Sequence, residues 1–245
     1  MERITLFCAP HAGAGAATFR DWQRHLPAWL ELVALQLPGR GAKYAIPPIR
    51  DWNTLRTVLL DQVTPKLAGP FAIFGHSMGA LIGLELAHAI RSRYGLEPIW
   101  LGASACTAPS RRSLESDWLT RPRETVIERL RMLGGTSEEV LRDSSLLDAL
   151  LPVLRADFHL CGTYESEPRA PLSAPLLVLG GTADEVSSPR ENLSAWSREA
   201  SGDFQLEMVD GGHFFIEANR QAVIRRIVEA IADVVARVNA VSSMI

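Results

Sequence analysis

A serine between two glycines follows a short apolar run and precedes a long helical one. The stretch is FAIFGHSMGALIGLELA, in which Ser77 lies between Gly75 and Gly79. A strand, tight turn and helix in this order lift the serine hydroxyl above the sheet, where it can act as a nucleophile. The free amides at the start of the helix favour negative charge beside that hydroxyl. The GxSxG pattern alone is weak, and a serine that only caps the helix is the alternative interpretation.

A serine nucleophile needs a base to accept its proton and an acid to orient that base. In this structural context, the expected order along the chain is serine, acid and histidine. Asp184 follows the predicted strand PLLVLG, and His213 follows the predicted strand FQLEMV. Because the ends of parallel strands meet at one edge of a sheet, we expect the three side chains to meet there. The sequence therefore predicts a catalytic triad of Ser77, Asp184 and His213.

Other titratable residues compete for these roles. Glu185 adjoins Asp184 and stays open as the acid, whereas Asp210 lies too close to His213 on one turn to be well aimed at the imidazole. His11 precedes a loop rich in glycine and alanine, where an ordering role is favoured over proton transfer. The remaining histidines are predicted to be packed or on the surface, namely His25, His76, His88 and His159.

Short apolar runs alternate with helical patterns along most of the chain. The predicted strands are residues 4–9, 31–37, 71–74, 99–104, 175–180 and 204–209. The predicted helices are residues 22–29, 53–67, 78–91, 190–199 and 218–238. This alternation predicts an α/β fold with a mostly parallel sheet that is covered by helices on both faces.

Residues 110–164 break the alternation, because their patterns are helical and contain no convincing strand. We therefore expect a single domain over residues 1–245, with a helical lid inserted at about 110–164 above the strand ends. A helical extension that only packs on the core is the alternative. Four leucines of this segment are expected to form an apolar slot or ordinary core contacts, namely Leu130, Leu133, Leu147 and Leu150.

The composition excludes several classes of protein and of binding partner. The chain has 245 residues, of which 47% are hydrophobic, and a formal net charge of −3, so nothing favours nucleic acid or an anionic membrane as a partner. The cysteines Cys8, Cys106 and Cys161 have neither a disulfide framework nor metal-ligand spacing, which is typical of a reducing cytoplasm. No secretory signal or membrane-spanning run is visible. We expect a soluble cytoplasmic protein, and nothing indicates more than a monomer.

Several motifs together resemble one family, over residues 6–216. They are FCAPHAGAGAATFRDW, LQLPGRGAKY, FGHSMGALIGLELA, LGGTSEEVL, LLPVLRADFHLCGTYE and DGGHFFI. The chain is similar to the type II thioesterases of polyketide and non-ribosomal peptide assembly lines. That resemblance implies an α/β-hydrolase fold without a metal or bound cofactor. It also implies hydrolysis of acyl thioesters on the phosphopantetheine arm of an acyl or peptidyl carrier protein, which edits or releases acyl chains.

The resemblance also assigns site residues. The family's nucleophile, acid and base fall on Ser77, Asp184 and His213, the residues already predicted. Its oxyanion donors, which are backbone N–H groups, fall on Ala12 and Met78. The chain departs from the family in two places. The first loop is HAGAGAA where HAGG and a small polar residue are usual, and residues 104–109 lack the usual arginine, which can alter the pocket beside the nucleophile.

Other functions stay open at this stage because fold does not determine substrate. They are a medium-chain fatty acyl thioesterase, a small-molecule carboxylesterase with the same triad, an acyltransferase, and a catalytically silent binding module. Four arginines could contact an acidic carrier protein, namely Arg111, Arg112, Arg121 and Arg123. Acidic residues are interleaved with them, so a solvated face of mixed charge is the favoured interpretation.

Overall fold

The structure is a computed structural model that describes residues 2–187 and 189–242. Within these residues, six parallel strands form one sheet with the order β2-β1-β3-β4-β5-β6. The strands are β1 (Ile4–Ala9), β2 (Leu30–Ala34), β3 (Phe71–His76), β4 (Trp100–Ser104), β5 (Leu176–Gly181) and β6 (Phe204–Val209). The predicted parallel α/β architecture is confirmed.

Helices cover both faces of this sheet. The helices of the described residues are α1 (Trp52–Val63), α2 (Met78–Tyr94), α3 (Arg123–Leu133), α4 (Glu138–Arg142), α5 (Ser144–Gly162), α6 (Arg190–Ser194), α7 (Phe215–Ala218) and α8 (Arg220–Ser242). Alternate residues of β1 face opposite sides, as the period of a strand requires. Phe7 packs in the cluster that contains α1 and α2, whereas Leu6 packs in the cluster that contains α8. Both faces of β1 and β3 are therefore buried.

The strand register brings the carboxyl ends of the strands to one edge. Ala9 of β1 lies beside Gly75 of β3, and His76 of β3 lies beside Ser104 of β4. Gly181 at the end of β5 lies beside the last residue of β6. The loops that carry the predicted site residues therefore leave the sheet along the same edge.

Between β4 and β5 the chain forms α3, α4 and α5, and these helices have their own apolar core. Its buried members are Trp118, Val126, Leu130, Leu141, Leu147, Leu154 and Phe158. Asp143 caps the start of α5, because its carboxylate accepts a hydrogen bond from the amide of Leu146 at 3.0 Å. Ala12, in the loop after β1, packs against this cluster, so the inserted helices reach the strand-end edge.

The helix predicted for residues 22–29 is wrong. Within that range the chain forms only a short 3₁₀ turn, Gln23–His25, and a second one, Ala16–Phe19, precedes it. Pro27 removes an amide and disfavours helical angles at the residue before it, and Leu26 has extended angles of −90° and 147°. The helix predicted for residues 190–199 is α-helical only through α6, and β2 ends three residues before the predicted boundary.

Candidate active site

Ser77 occupies a strained turn between β3 and α2. Its φ of 55° and ψ of −118° lie outside the regions that a non-glycine residue normally adopts. The flanking glycines are required by packing. A Cβ on Gly75 would lie 1.9 Å from the carbonyl oxygen of Gly79, and a Cβ on Gly79 would lie 2.0 Å from that of Ala9. The amide of Ser77 donates to the carbonyl of Ser104 at 2.7 Å, which holds the turn against β4.

The structure brings the three predicted triad residues together. His213 Nε2 lies 2.9 Å from Ser77 Oγ, and His213 Nδ1 lies 2.9 Å from Asp184 Oδ2. Asp184 is 2% exposed and His213 is 5% exposed, so the pair is shielded from water. The imidazole therefore bridges the hydroxyl and the carboxylate, which is the geometry that a serine nucleophile requires.

Asp184 is held ionised by its neighbours. Burial raises its pKa, but the hydrogen bond and charge of His213 and the hydrogen bonds of Ser187 and Val186 outweigh burial and lower the pKa to about 2. The amides of Val186 and Ser187 donate to Oδ1 at 2.9 and 3.2 Å, and the Ser187 hydroxyl donates to Oδ2. Sequence reasoning missed Ser187, and the available signal was Asp184 itself, because an aspartate in a turn commonly accepts hydrogen bonds from the backbone that follows it.

The two loops that carry the acid and the imidazole are tied to each other. The amide of Thr182 donates to the carbonyl of Val209, and the amide of Ala183 donates to the carbonyl of Gly211, both at 2.9 Å. The Thr182 hydroxyl bonds to Asp210 at 3.1 Å, so this rival acid is directed away from the imidazole. Glu185, the other rival, is exposed.

The predicted oxyanion donors lie at the same site. Ala12 and Met78 line the cavity that contains Ser77 and His213. Met78 is the first residue of α2, so its amide has no acceptor within the helix. None of the described hydrogen bonds uses the amide of Ala12. Both amides are available to a substrate oxygen.

A buried ion pair holds the loop that contains Ala12. Arg40 Nη2 donates to Asp157 Oδ1 at 2.8 Å, and the Asp157 carboxylate also accepts the amide of Gly13 at 2.7 Å. Arg40 Nη1 donates to the carbonyl of Ala14 at 3.0 Å. Asp157 is 1% exposed, and it lies on α5 of the inserted helices. Sequence reasoning missed this contact, although an aspartate within an apolar helical pattern was a visible signal.

Among the described residues, no histidine other than His213 is hydrogen-bonded to Ser77. His76 is buried, with Nδ1 2.9 Å from Ser104 Oγ, and burial holds its pKa well below the usual value. The ring of His11 packs edge-on against Phe214 at 4.9 Å. Burial, followed by the charges of His213 and Arg40, lowers the pKa of His11 to about 4. As expected, His25 is exposed, His88 is buried on α2, and His159 lies 3.1 Å from the carbonyl of Ser116.

The buried neutral histidines predict a loss of stability in acid. Burial, followed by the charges of Arg169 and Arg91, lowers the pKa of His88 to about 4. The unfolded chain therefore binds more protons between pH 6.5 and 4, and the free energy of unfolding falls as the pH decreases through this window. We expect His88 to contribute on the order of 2 kcal/mol to the fall.

Urea unfolding at several pH values between 7 and 4 measures this dependence. In the wild type, Arg91 Nη2 lies 2.9 Å from His88 Nδ1. The comparison variant is His88→Gln, because glutamine does not titrate and still offers an acceptor to Arg91. This variant should lose less stability than the wild type over the same pH range. Identical pH slopes for the two proteins would contradict the assignment.

One cavity contains Ser77 and His213, and a second cavity shares lining residues with it. The first is the larger, about 290 Å³, and although many apolar residues line it, its exposed lining surface is more polar than apolar. The smaller, about 170 Å³, is mainly apolar and lies between the loop after β1 and the inserted helices. All four leucines singled out in the sequence line the smaller cavity, namely Leu130, Leu133, Leu147 and Leu150.

Two of the four arginines considered for a carrier protein are already paired. Arg121 contacts Glu115 at 3.0 Å and Asp117 at 2.7 Å, and Arg123 contacts Asp148 at 2.6 Å. This agrees with a solvated face of mixed charge. The other two, Arg111 and Arg112, line the larger cavity.

In the described part of the chain, no group of three or more His, Cys, Asp or Glu side chains is placed to hold a metal ion. Among the helices of residues 2–187 and 189–242, none has the length and apolar character needed to cross a bilayer.

Comparison with known proteins gives matches along most of the chain. A family model described as the thioesterase domain matches residues 4–231. The gramicidin S biosynthesis protein GrsT of Aneurinibacillus migulanus is 36% identical over 222 residues, which cover 91% of this chain and 86% of GrsT. The matches therefore extend well beyond the local motif around Ser77.

Solved structures of similar proteins also match most of the chain. The type II thioesterase BorB from the borrelidin biosynthetic cluster is 33% identical, with a TM-score of 0.84 over 94% of this chain and 93% of that chain. The RedJ thioesterase from the prodiginine biosynthetic pathway in Streptomyces coelicolor is 32% identical, with a TM-score of 0.87 over 93% and 90%. The likeness therefore includes the sheet and the inserted helices.

Proposed function

Because this chain belongs to the thioesterase domain family, we propose that it hydrolyses acyl thioesters with Ser77, His213 and Asp184 as its catalytic triad. It is a type II thioesterase of polyketide or non-ribosomal peptide biosynthesis, and it edits or releases acyl chains. Its substrate is the acyl group on the phosphopantetheine arm of an acyl or peptidyl carrier protein. The observation that carries the triad is the pair of 2.9 Å hydrogen bonds that join Ser77 to Asp184 through His213.

The geometry accounts for both halves of the reaction. Ser77 Oγ attacks the thioester carbonyl carbon while His213 Nε2 accepts the hydroxyl proton, and Asp184 stabilises the resulting imidazolium. The C–S bond then breaks and His213 protonates the departing thiolate, which is a good leaving group because the pKa of an alkyl thiol is near 8.5. In the second half, His213 accepts a proton from water as the water oxygen attacks the acyl-Ser77 ester; the ester C–O bond then breaks, and His213 returns the proton to Ser77 Oγ. The products are a carboxylic acid and the free thiol.

The amides of Ala12 and Met78 stabilise the oxyanion that forms in each half. They are backbone donors held by secondary structure and by the Asp157 contact to Gly13, so they need little reorganisation during the reaction. Removing one donor of this kind typically lowers the rate by roughly 10²–10³. We assign Asp157 and Arg40 as positioning residues, because they hold the loop without touching the substrate.

The inserted helices act as a lid over the site. Ala12 and Phe158 line both cavities, so the apolar cavity beneath α3 and α5 is adjacent to the one that contains Ser77. The hydrocarbon part of an acyl chain fits the apolar cavity, because burial of methylene groups there is favourable. The carrier arm then reaches Ser77 through the larger, polar cavity.

A panel of acyl substrates tests the proposed function. We expect hydrolysis of a butyryl thioester of N-acetylcysteamine, with butyrate as product, and much slower cleavage of the matched oxygen ester. Butyryl loaded on a carrier protein should show a kcat/KM at least about tenfold higher, because remote binding energy is used in the transition state. Mass spectrometry of the products distinguishes hydrolysis from transfer to another acceptor. A preference for the oxygen ester would instead indicate a carboxylesterase.

A further inference from the structure

Three arginine side chains line the cavity that contains the proposed nucleophile. Arg111 and Arg112 belong to the segment after β4, and Arg129 belongs to α3. Among the described residues, Glu115 is the only carboxylate in the lining of this cavity. The space beside Ser77 therefore carries an excess of positive charge.

Protein carboxylates do not neutralise this charge. Glu115 is paired with Arg121 at 3.0 Å. In the described part of the chain, none of the three cavity arginines has a carboxylate within ion-pair distance. Among the described residues, Arg129 has only weak contacts. Its Nη1 lies 3.8 Å from Met132 Sδ, and its Cζ lies 6.0 Å from the centroid of the Trp118 ring, at the limit of a cation–π interaction.

Arg112 has a buried donor without an acceptor. Its Nη2 donates to the carbonyl of Cys161 at 2.9 Å, and its Nη1 lies 3.9 Å from Cys106 Sγ. Its Nε is buried and has no hydrogen-bond partner. A buried donor of this kind is costly, and a ligand that supplies an acceptor would remove that cost.

The two cysteines beside Arg112 cannot supply the missing negative charge. Burial raises the pKa of Cys106 to about 11 and that of Cys161 to about 12, although the Arg112 charge opposes both shifts. Both thiols are therefore protonated at neutral pH. In the described part of the chain, no side chain therefore pairs with these arginines as a counter-ion, which leaves them available to an anionic ligand.

We propose that this cavity binds an anionic oxygen group of the substrate, and that Arg112 and Arg129 hold it. The inference rests on the proposed thioesterase function and specifies its substrate class. Two parts of an acyl-phosphopantetheine carry such a group, a carboxylate on the acyl chain and the phosphate of the arm. A guanidinium binds either one through charge-assisted hydrogen bonds.

Two matched substrate pairs separate these sources. The first pair is succinyl- and butyryl-N-acetylcysteamine, which differ in an acyl carboxylate and contain no phosphate. The second pair is butyryl-pantetheine and butyryl-4′-phosphopantetheine, which differ only in the phosphate. For Arg112→Gln, we expect kcat/KM to fall by roughly tenfold to hundredfold for the anionic member of one pair, with little change for its neutral partner. The affected pair identifies the anion.

Further variants distinguish a role of Arg112 in substrate recognition from a role in folding. Arg112→Lys keeps the charge and should restore part of the discrimination. Arg123→Gln is the matched control, because Arg123 is paired with Asp148 and does not line the cavity. If Arg112→Gln does not fold, Arg129→Gln provides the same comparison.

The outcomes are distinct. A fall that is equal for anionic and neutral substrates, or no change for either pair, would overturn the anion site while leaving the thioesterase function intact. Failure of the wild-type protein to hydrolyse any of the four thioesters would overturn the proposed function and this inference together.

Discussion

Replacing Ser77 with alanine is expected to lower kcat by roughly 10⁴–10⁶-fold while the protein stays folded. The variant lacks the oxygen that forms the acyl-enzyme, and His213 loses the group whose proton it accepts. The strained backbone angles at this position, 55° and −118°, are as costly for alanine as for serine. Stability should therefore change by only about 1 kcal/mol, the net worth of one hydrogen bond.

Single-turnover hydrolysis of a butyryl thioester, together with thermal unfolding, measures both effects. Ser194→Ala is a suitable control, because Ser194 is exposed on α6 and bonds only to the carbonyl of Glu191. A fluorophosphonate should label the wild-type protein at Ser77 and leave Ser77→Ala unlabelled. Retention of a large share of the activity by Ser77→Ala would reject this residue as the nucleophile.

Replacing Asp157 with alanine is expected to have the largest effect on stability, a loss of about 3–5 kcal/mol. The change leaves the Arg40 guanidinium buried without its counter-ion, since the side chain of Arg40 is only 9% exposed. It also removes the acceptor of the Gly13 amide. Because Gly13 adjoins the proposed oxyanion donor Ala12, we expect the fold-decrease in kcat to be larger than the fold-change in KM.

Chemical denaturation and steady-state kinetics below the unfolding transition measure these two effects separately. Asp148→Ala is a matched control on the same helix. Asp148 is 63% exposed in its pair with Arg123, so its loss should cost less than about 1 kcal/mol.

A double variant separates stability from positioning at this site. Arg40→Met with Asp157→Leu replaces both charges with apolar groups and should recover much of the stability. It should not recover kcat, because the Gly13 amide still lacks its acceptor. Recovery of both quantities together would show that the ion pair is structural and does not position the loop.

These expectations differ in how far they could be drawn from the sequence. Ser77 was identifiable because GxSxG lies between a buried strand and a helix, and the close approach at Gly75 and Gly79 leaves room for no side chain. Asp184 and His213 were identifiable because each follows a strand in the expected order. The wrong helix at residues 22–29 was avoidable, since Pro27 is visible in the sequence and excludes an uninterrupted helix.

What the sequence by itself determined is local or periodic. Alternation of strand and helix patterns specifies the parallel sheet, and the parallel sheet places the strand-end loops on one edge, where the side chains of Ser77, His213 and Asp184 meet. Only the tertiary structure decided the contacts between distant segments. The Arg40–Asp157 pair joins positions 117 residues apart, and the charge of the cavity depends on how the segment after β4 and helix α3 pack beside Ser77. Such contacts are decided by how separate segments pack, and no local spacing in the chain encodes that packing.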